Sequence, residues 1–178
     1  GSEMCIRDRL KARFDTDWST VDVMANEAIQ DINIVAGCLK QWFRELPDPL
    51  LTYQLYPAFI EASKIENDFL RQVRLHEQVN NLPDANYATL RFLMAHLDRI
   101  RAHESINQMS AHNLAIVFGP TLLRSPHEAQ MAGAGAAASH GGVGQMYFPD
   151  MSLQCKAIET ILLKYRDIFV ESDEDDLS

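Results

Sequence analysis

Asp31-Ile-Asn-Ile-Val-Ala-Gly-Cys-Leu-Lys-Gln-Trp-Phe-Arg-Glu-Leu-Pro-Asp-Pro-Leu50 carries both a helix and its stop signal. Ile32, Val35, Leu39, Phe43 and Leu46 recur at three- and four-residue spacing, the period of an amphipathic helix over 31–46. Pro47 and Pro49 end it, because proline lacks the backbone N–H a helix needs and pushes the preceding residue out of helical geometry. On a helical wheel Ile32, Val35, Leu39, Trp42, Phe43 and Leu46 fall together and are expected to face the core. Truncating Leu39 there should cost roughly 2–5 kcal/mol. Asn33, Gly37, Lys40 and Arg44 gather roughly 145° away on the wheel. Lys40 and Arg44 are like charges one turn apart, which disfavours an isolated helix. Gly37 disfavours it further, and its missing side chain leaves a low spot where another backbone could approach. A solvated basic edge is the plainer alternative for this face.

The same period runs outward along the chain. Ile6, Leu10 and Phe14 mark a first helix, Leu55, Phe59 and Ala62 a third, and Phe69 to Val79 a fourth. Tyr87, Leu90, Leu93, Met94, Leu97 and Ile100 form a five-turn stripe behind Pro83, a good helix opener. Ser110 is placed to cap a helix through Leu114, Val117 and Phe118, which Gly119-Pro120 should break. Ile158, Ile161, Leu162, Tyr165 and Phe169 share the face of a last helix. No alternating Val, Ile and Thr run suggests a sheet, so the expected fold class is all-α.

The chain has 178 residues, which fits one domain. With 47% apolar and 23% charged residues it has the composition of an ordinary soluble protein, and no apolar run is long enough for a membrane span. Cys5, Cys38 and Cys155 are odd in number and widely spaced, which disfavours a disulfide framework or thiolate zinc site and points to a reducing, cytoplasmic compartment. The net charge is -9, but five acids lie in the tail 171–178; without them 20 acids face 16 bases and the body carries -4. That sign disfavours nucleic acid and anionic membrane as direct partners, and the acidic tail reads as a solvated end. Five of eight glycines fall between Gly133 and Gly144, so 128–148 reads as a flexible Ala/Gly-rich loop.

Reacting groups are sparse. His76, His96, His103, His112, His127 and His140 show no metal-ligand spacing, so no metal or cofactor is expected. Ser125 and Cys38 have no base or orienting group nearby in sequence, which leaves nucleophilic catalysis without support. In Asn107-Gln-Met-Ser-Ala-His-Asn113, the amide of Asn113 lies in the first turn of a helix. It can cap backbone donors, the blander role, or reach a partner.

Taken together these stretches resemble a known family. Leu39-Lys-Gln-Trp-Phe-Arg-Glu-Leu-Pro-Asp-Pro-Leu-Leu-Thr52 is similar to the Lys-x-x-x-Arg-x-Leu-Pro-x-Pro-Leu signature of Rho-family GTPase-activating (RhoGAP) domains. Leu82-Pro-Asp-Ala-Asn86 resembles that family's Leu-Pro-x-x-Asn helix opener. Asn107-x-Met109 with Asn113-Leu-Ala-Ile-Val-Phe-Gly-Pro-Thr-Leu-Leu123 resembles its third block. The likeness spans residues 10 to about 170. Asp31–Ile34, Arg74–Val79 and Gln154–Thr160 resemble fungal F-BAR-containing members most.

The resemblance implies a RhoGAP-like helical bundle that docks, as a monomeric domain, on a GTP-bound Rho-family small GTPase. GTP and Mg²⁺ belong to that partner, and direct membrane insertion is not implied; recruitment to membranes falls to domains outside this chain. Lys40 matches the lysine that meets the GTPase near its nucleotide, Arg44 the arginine that braces the finger loop, and Asn113 an asparagine that contacts the switch region. Gly37 completes the expected GTPase-binding set. The family's arginine finger, in a Gly-Ile/Leu-Tyr-Arg-x-Ser-Gly motif, is expected a few positions upstream of Gly1 and is absent from this sequence. Arg7, Arg9 and Arg13 continue a helical period without the loop's glycines and aromatic, and are not expected to replace it. Residues 1–9 resemble the family poorly and read as an atypical segment or scar. Two alternatives stay open: a GTPase-binding module without activating power, and a helical adaptor in which Leu46-Pro-Asp-Pro-Leu50 is architecture alone.

Overall fold

The periodic segments are helices in the computed structural model, which describes residues 5–23, 32–127 and 150–169. Among the described residues there is no strand, and the fold is all-α. The backbone groups into two compact units, residues 1–47 and 48–178, dividing within Leu46-Pro-Asp-Pro-Leu50. The Ala/Gly-rich stretch 128–148, the acidic tail 171–178 and the first four residues of the atypical 1–9 segment lie outside the described residues.

In the first unit α1 (Ile6–Asp17) leads into a 3₁₀ turn at Trp18–Thr20, where the Asp17 carboxylate accepts from the Ser19 N–H at 3.1 Å. The next described helix is α2 (Ile32–Glu45), which packs against α1. Lys11 of α1 meets Asp15 at 2.9 Å and Glu45 of α2 at 3.4 Å. Its pKa is held above the usual lysine value by the hydrogen bond and charge of Asp15, with Glu45 adding to both. Leu10 and Phe43 are buried, and Trp42 sets its ring edge-on to Phe43 at 5.0 Å.

The expected core face of α2 needs correction. Of its six apolar residues only Phe43 is buried; Ile32 is 74% exposed, Trp42 48% and Leu39 39%, while Val35 and Leu46 are half-buried. Phe14, Trp18, Val35, Leu39 and Trp42 line an open apolar groove of about 540 Å³ between α1 and α2. A wheel assigns all apolar positions to one side, but one neighbouring helix covers only part of so wide a stripe.

The second unit comprises α3 (Tyr56–Ser63), α4 (Asp68–Asn80), α5 (Asp84–Arg101), α6 (Glu104–Asn107), α7 (Ala111–Leu122), α8 (Met151–Leu163) and α9 (Tyr165–Ile168). At its centre is α8, in contact with α3, α4, α5, α7 and α9 and with Ala157, Ile158, Ile161 and Leu162 fully buried. The stripe on α5 is core as its period requires: Leu90, Leu93, Met94 and Leu97 are all buried. The last apolar face is divided, since α8 ends before Lys164 and α9 restarts at Tyr165, leaving Phe169 edge-on to Tyr87 at 5.3 Å.

Gly119-Pro120 does not break α7, which runs on to Leu122. Pro120 removes one helical donor, but the Leu123 N–H still reaches the Gly119 carbonyl at 3.0 Å and the Thr121 hydroxyl donates to Val117 at 2.9 Å. Gly119 acts by packing instead. A Cβ there would stand 3.0 Å from both Cα and N of Cys155, tighter than ordinary contact, so glycine suits the close approach of α7 to the α8 backbone.

Asp48 to Leu55 forms a turn held by several hydrogen bonds within itself and to α5 and α7. Asn86 donates from Nδ2 to the Leu50 carbonyl at 2.9 Å, and the Leu51 N–H donates to Leu122 at 3.1 Å. The Tyr53 N–H is received by the Asp48 carboxylate at 2.8 Å. Thr52 takes φ 64°, a left-handed conformation that β-branched residues rarely adopt, and its hydroxyl accepts from the Leu55 N–H at 3.2 Å. Elsewhere the buried Arg71 guanidinium is consumed internally by Thr160, Asp68 and the carbonyls of Ile65 and Glu66.

Asn86→Ala leaves the buried Leu50 carbonyl without this donor and is expected to lower unfolding free energy by about 1–3 kcal/mol in urea titration. In the same assay Phe43→Ala should cost about 3–5 kcal/mol, whereas half-exposed Leu39→Ala should cost only about 1 kcal/mol. Equal losses at 39 and 43 would contradict the burial difference.

Candidate functional site

Gly37, Lys40 and Arg44 stand at i, i+3 and i+7 of α2 and so share one face. Arg44 is exposed and Lys40 half-buried. Neither makes an ion pair or hydrogen bond with any described residue, in contrast to Lys11, Lys64, Arg71, Arg74 and Arg101. The one acid of α2, Glu45, is taken by Lys11 and by the Gln41 amide at 2.6 Å, and so does not neutralise them. The face therefore presents two cations one turn apart with no internal counter-charge among the described residues. Such a pair costs the free helix a few tenths of a kcal/mol and favours an anionic or carbonyl-rich visitor.

Gly37 is half-buried, and a Cβ built on it would come no nearer than 3.9 Å to another atom, the Arg7 Cδ. This is ordinary contact. The glycine is thus not required by packing among the described residues, and the low ground it leaves stays available. Arg7, Arg9 and Arg13 are exposed on the surface of α1, within a helix rather than a loop.

Asn113 is exposed in the first turn of α7, in the second unit. Ser110 supplies the N-cap, its hydroxyl accepting from the Asn113 N–H at 3.1 Å. The Asn113 side chain does something the sequence did not indicate: Nδ2 donates to the Gln108 carbonyl at 3.0 Å, and Gln108 has φ 58°. Three positions on, Ile116 is 43% exposed within a run that reads as core. It lies in a groove of about 480 Å³ with Met151, Ser152, Cys155 and Lys156, where His112 and Glu159 approach to 3.3 Å. Asn107 stood in the sequence motif without a role; Gln108 and Ile116 are the surface residues that sequence reasoning missed. A left-handed backbone at glutamine has no sequence signal, whereas exposure at an apolar position would need the neighbouring helices to be known.

Cys38 and Cys155 are poor nucleophile candidates. Burial pushes both the Cys38 and Cys155 thiols above their usual value, with Glu159 adding to the effect at Cys155. Among the described residues no helix is long and apolar enough to cross a membrane.

An unneutralised basic helix face and an exposed asparagine at a helix start give the chain the form of a helical docking domain. Comparison with known proteins makes this specific. A sequence model described as the RhoGAP domain matches residues 6–127. Rat N-chimaerin is 51% identical over 123 residues, covering 69% of this chain and 36% of that protein. Human N-chimaerin is 50% identical over 123 residues, with 69% and 27% covered. The crystal structure of the BH domain from GRAF, the GTPase regulator associated with focal adhesion kinase, superposes with a TM-score of 0.70 at 30% identity, covering 93% of this chain and 80% of that one. Human Rho GTPase activating protein 15 gives 0.70 at 34% identity, covering 90% and 69%. The chain belongs to the RhoGAP domain family. It spans about two fifths or less of the length of the chimaerins it matches.

Because Lys40 and Arg44 spend nothing on the fold, Lys40→Ala and Arg44→Ala should leave helicity unchanged and shift unfolding free energy by less than about 0.5 kcal/mol. Gly37→Ala should raise it by up to about 1 kcal/mol, since alanine is the better helix former and space is open. A fall in circular-dichroism melting temperature on Gly37→Ala would mean that the site is already packed.

Proposed function

We propose that this chain docks on a Rho-family small GTPase in its GTP-bound state, and that the parent protein promotes the partner's GTP hydrolysis. The observation that carries this is the pair Lys40 and Arg44, without an ion-pair or hydrogen-bond partner among the described residues, on one face of α2 in a chain of the RhoGAP family. In phosphoryl transfer the charge on the γ-phosphoryl oxygens must be met by fixed positive groups where water is excluded. Lys40 offers a compact point charge suited to a single anionic oxygen or carbonyl, while the forked guanidinium of Arg44 can brace a loop through two parallel donors. Gly37 leaves room for the partner's backbone beside them, and Asn113 marks a contact to the switch region. GTP and Mg²⁺ come with the GTPase; the chain acts as a cytoplasmic, monomeric regulator of another protein's chemistry.

On this reading the arginine finger comes from residues outside this sequence. Arg7, Arg9 and Arg13 are exposed side chains of a regular helix, which suits them poorly to reach into a partner's nucleotide site. That favours a second reading for the polypeptide as it stands: a module that binds the switch surface and accelerates hydrolysis little by itself. A finger is worth about 10³- to 10⁵-fold in rate, so the two readings are widely separated.

The test is single-turnover phosphate release from a panel of GTP-loaded small GTPases. It compares this chain with one carrying a Gly-Ile-Tyr-Arg-x-Ser-Gly segment ahead of α1. The extended chain should be at least about 10³-fold faster on a Rho-type partner, and Lys40→Ala should weaken both. Equal rates would place the finger within this sequence, and no response from any GTPase would reject the assignment.

A further inference from the structure

The segment between α6 and α7 holds a conformation that its residue types do not favour. Gln108 has φ 58°, a left-handed backbone in which glycine is the usual occupant. Neighbouring groups secure it. The Gln108 N–H donates to Glu104 at 2.8 Å. Asn107 gives Nδ2 to the Ile100 carbonyl at 2.8 Å and takes the Met109 N–H on Oδ1 at 2.8 Å. From the other side the Asn113 Nδ2 donates to the Gln108 carbonyl at 3.0 Å. A carbonyl can only accept, so the amide orientation of Asn113 is settled by chemistry: its nitrogen, not its oxygen, faces the turn.

We propose that Asn113 is a positioning residue, whose contribution to partner docking runs through the left-handed turn Asn107–Met109 rather than through direct contact alone. This rests on the GTPase-docking reading above and deepens it. Gln108, Asn107 and Asn113 are all exposed, so water competes for each of these bonds and the turn would otherwise relax toward commoner geometry. Asn113 stands five residues along the chain from Gln108, on a helix start already anchored by Ser110. It therefore ties the turn to a rigid element and presents it in one shape. A turn held in its bound shape lowers the ordering cost that a partner must meet. The assignment also accounts for an asparagine where a serine cap already satisfies the first turn.

Asn113→Ala, Gln108→Gly and the double variant separate the roles, because glycine accepts the left-handed backbone without help. Two readouts are used. The first is amide exchange at Met109 in the chain alone; the second is affinity for Rho-family GTPases loaded with a non-hydrolysable GTP analogue. Asn113→Ala should speed Met109 exchange and weaken affinity roughly fivefold, the worth of one net hydrogen bond. Adding Gln108→Gly should recover at least half of the affinity loss on a logarithmic scale. No recovery would mean that Asn113 acts by direct contact alone, and unchanged Met109 exchange would mean that it does not hold the turn; either overturns the proposal. If the unsubstituted chain binds no GTPase while Lys40→Ala is equally silent, the docking reading fails. The exchange rates then still decide whether Asn113 holds the turn.

Discussion

A single missing side chain governs the second unit. Where Gly119 faces Cys155, the backbones of α7 and α8 come so close that a methyl group would press to 3.0 Å against main-chain atoms, which yield less readily than a flexible side chain. This contact brings the strongly apolar α7 against the helix at the unit's centre, and with it Leu114, Phe118 and Leu122 go into the interior. It also decides what lies at the two ends of α7. At one end the Leu122 carbonyl receives Leu51 of the Asp48–Leu55 turn; at the other, Ser110 and Asn113 organise the segment that precedes the helix.

The turn at Asp48–Leu55 shows how a motif can be architecture and still matter to function. Its Leu50 carbonyl is met by Asn86 and its Leu51 and Tyr53 N–H groups by Leu122 and Asp48, so the proline-bounded signature and the Leu-Pro-x-x-Asn opener are two halves of one structural joint. Lys40 and Arg44 behave differently. Lys11, Arg71, Arg74 and Arg101 are each tied to an acid on their own helix or the next, whereas these two have no such partner among the described residues. Groups that stabilise nothing at home yet sit in like-charge proximity are where an outside partner gains most.

Much of the fold was legible because helix periodicity is a local property. The stripe on α5, the Ser110 cap and the stop after α2 follow from spacing and proline chemistry alone, and the structure has all three. Burial is not local. The apolar side of α2 was readable, but that Phe43 is covered while Trp42 and Ile32 stay open depends on which neighbour lies across it. The continuation of α7 through Pro120 was misread for a similar reason: packing on α8 outweighs one lost hydrogen bond.

From its sequence alone this protein could be assigned to the all-α class and to its family, and its basic face on α2 could be named, because those rest on residue type and spacing along one chain. The tertiary structure alone decided that Lys40 and Arg44 lack partners among the described residues, that Gly119 is tightly packed while Gly37 is not, and that Asn113 is turned toward Gln108. Each of these depends on atoms brought together from separate turns or helices. Distances across a fold are set by how its pieces pack, and no periodicity encodes them.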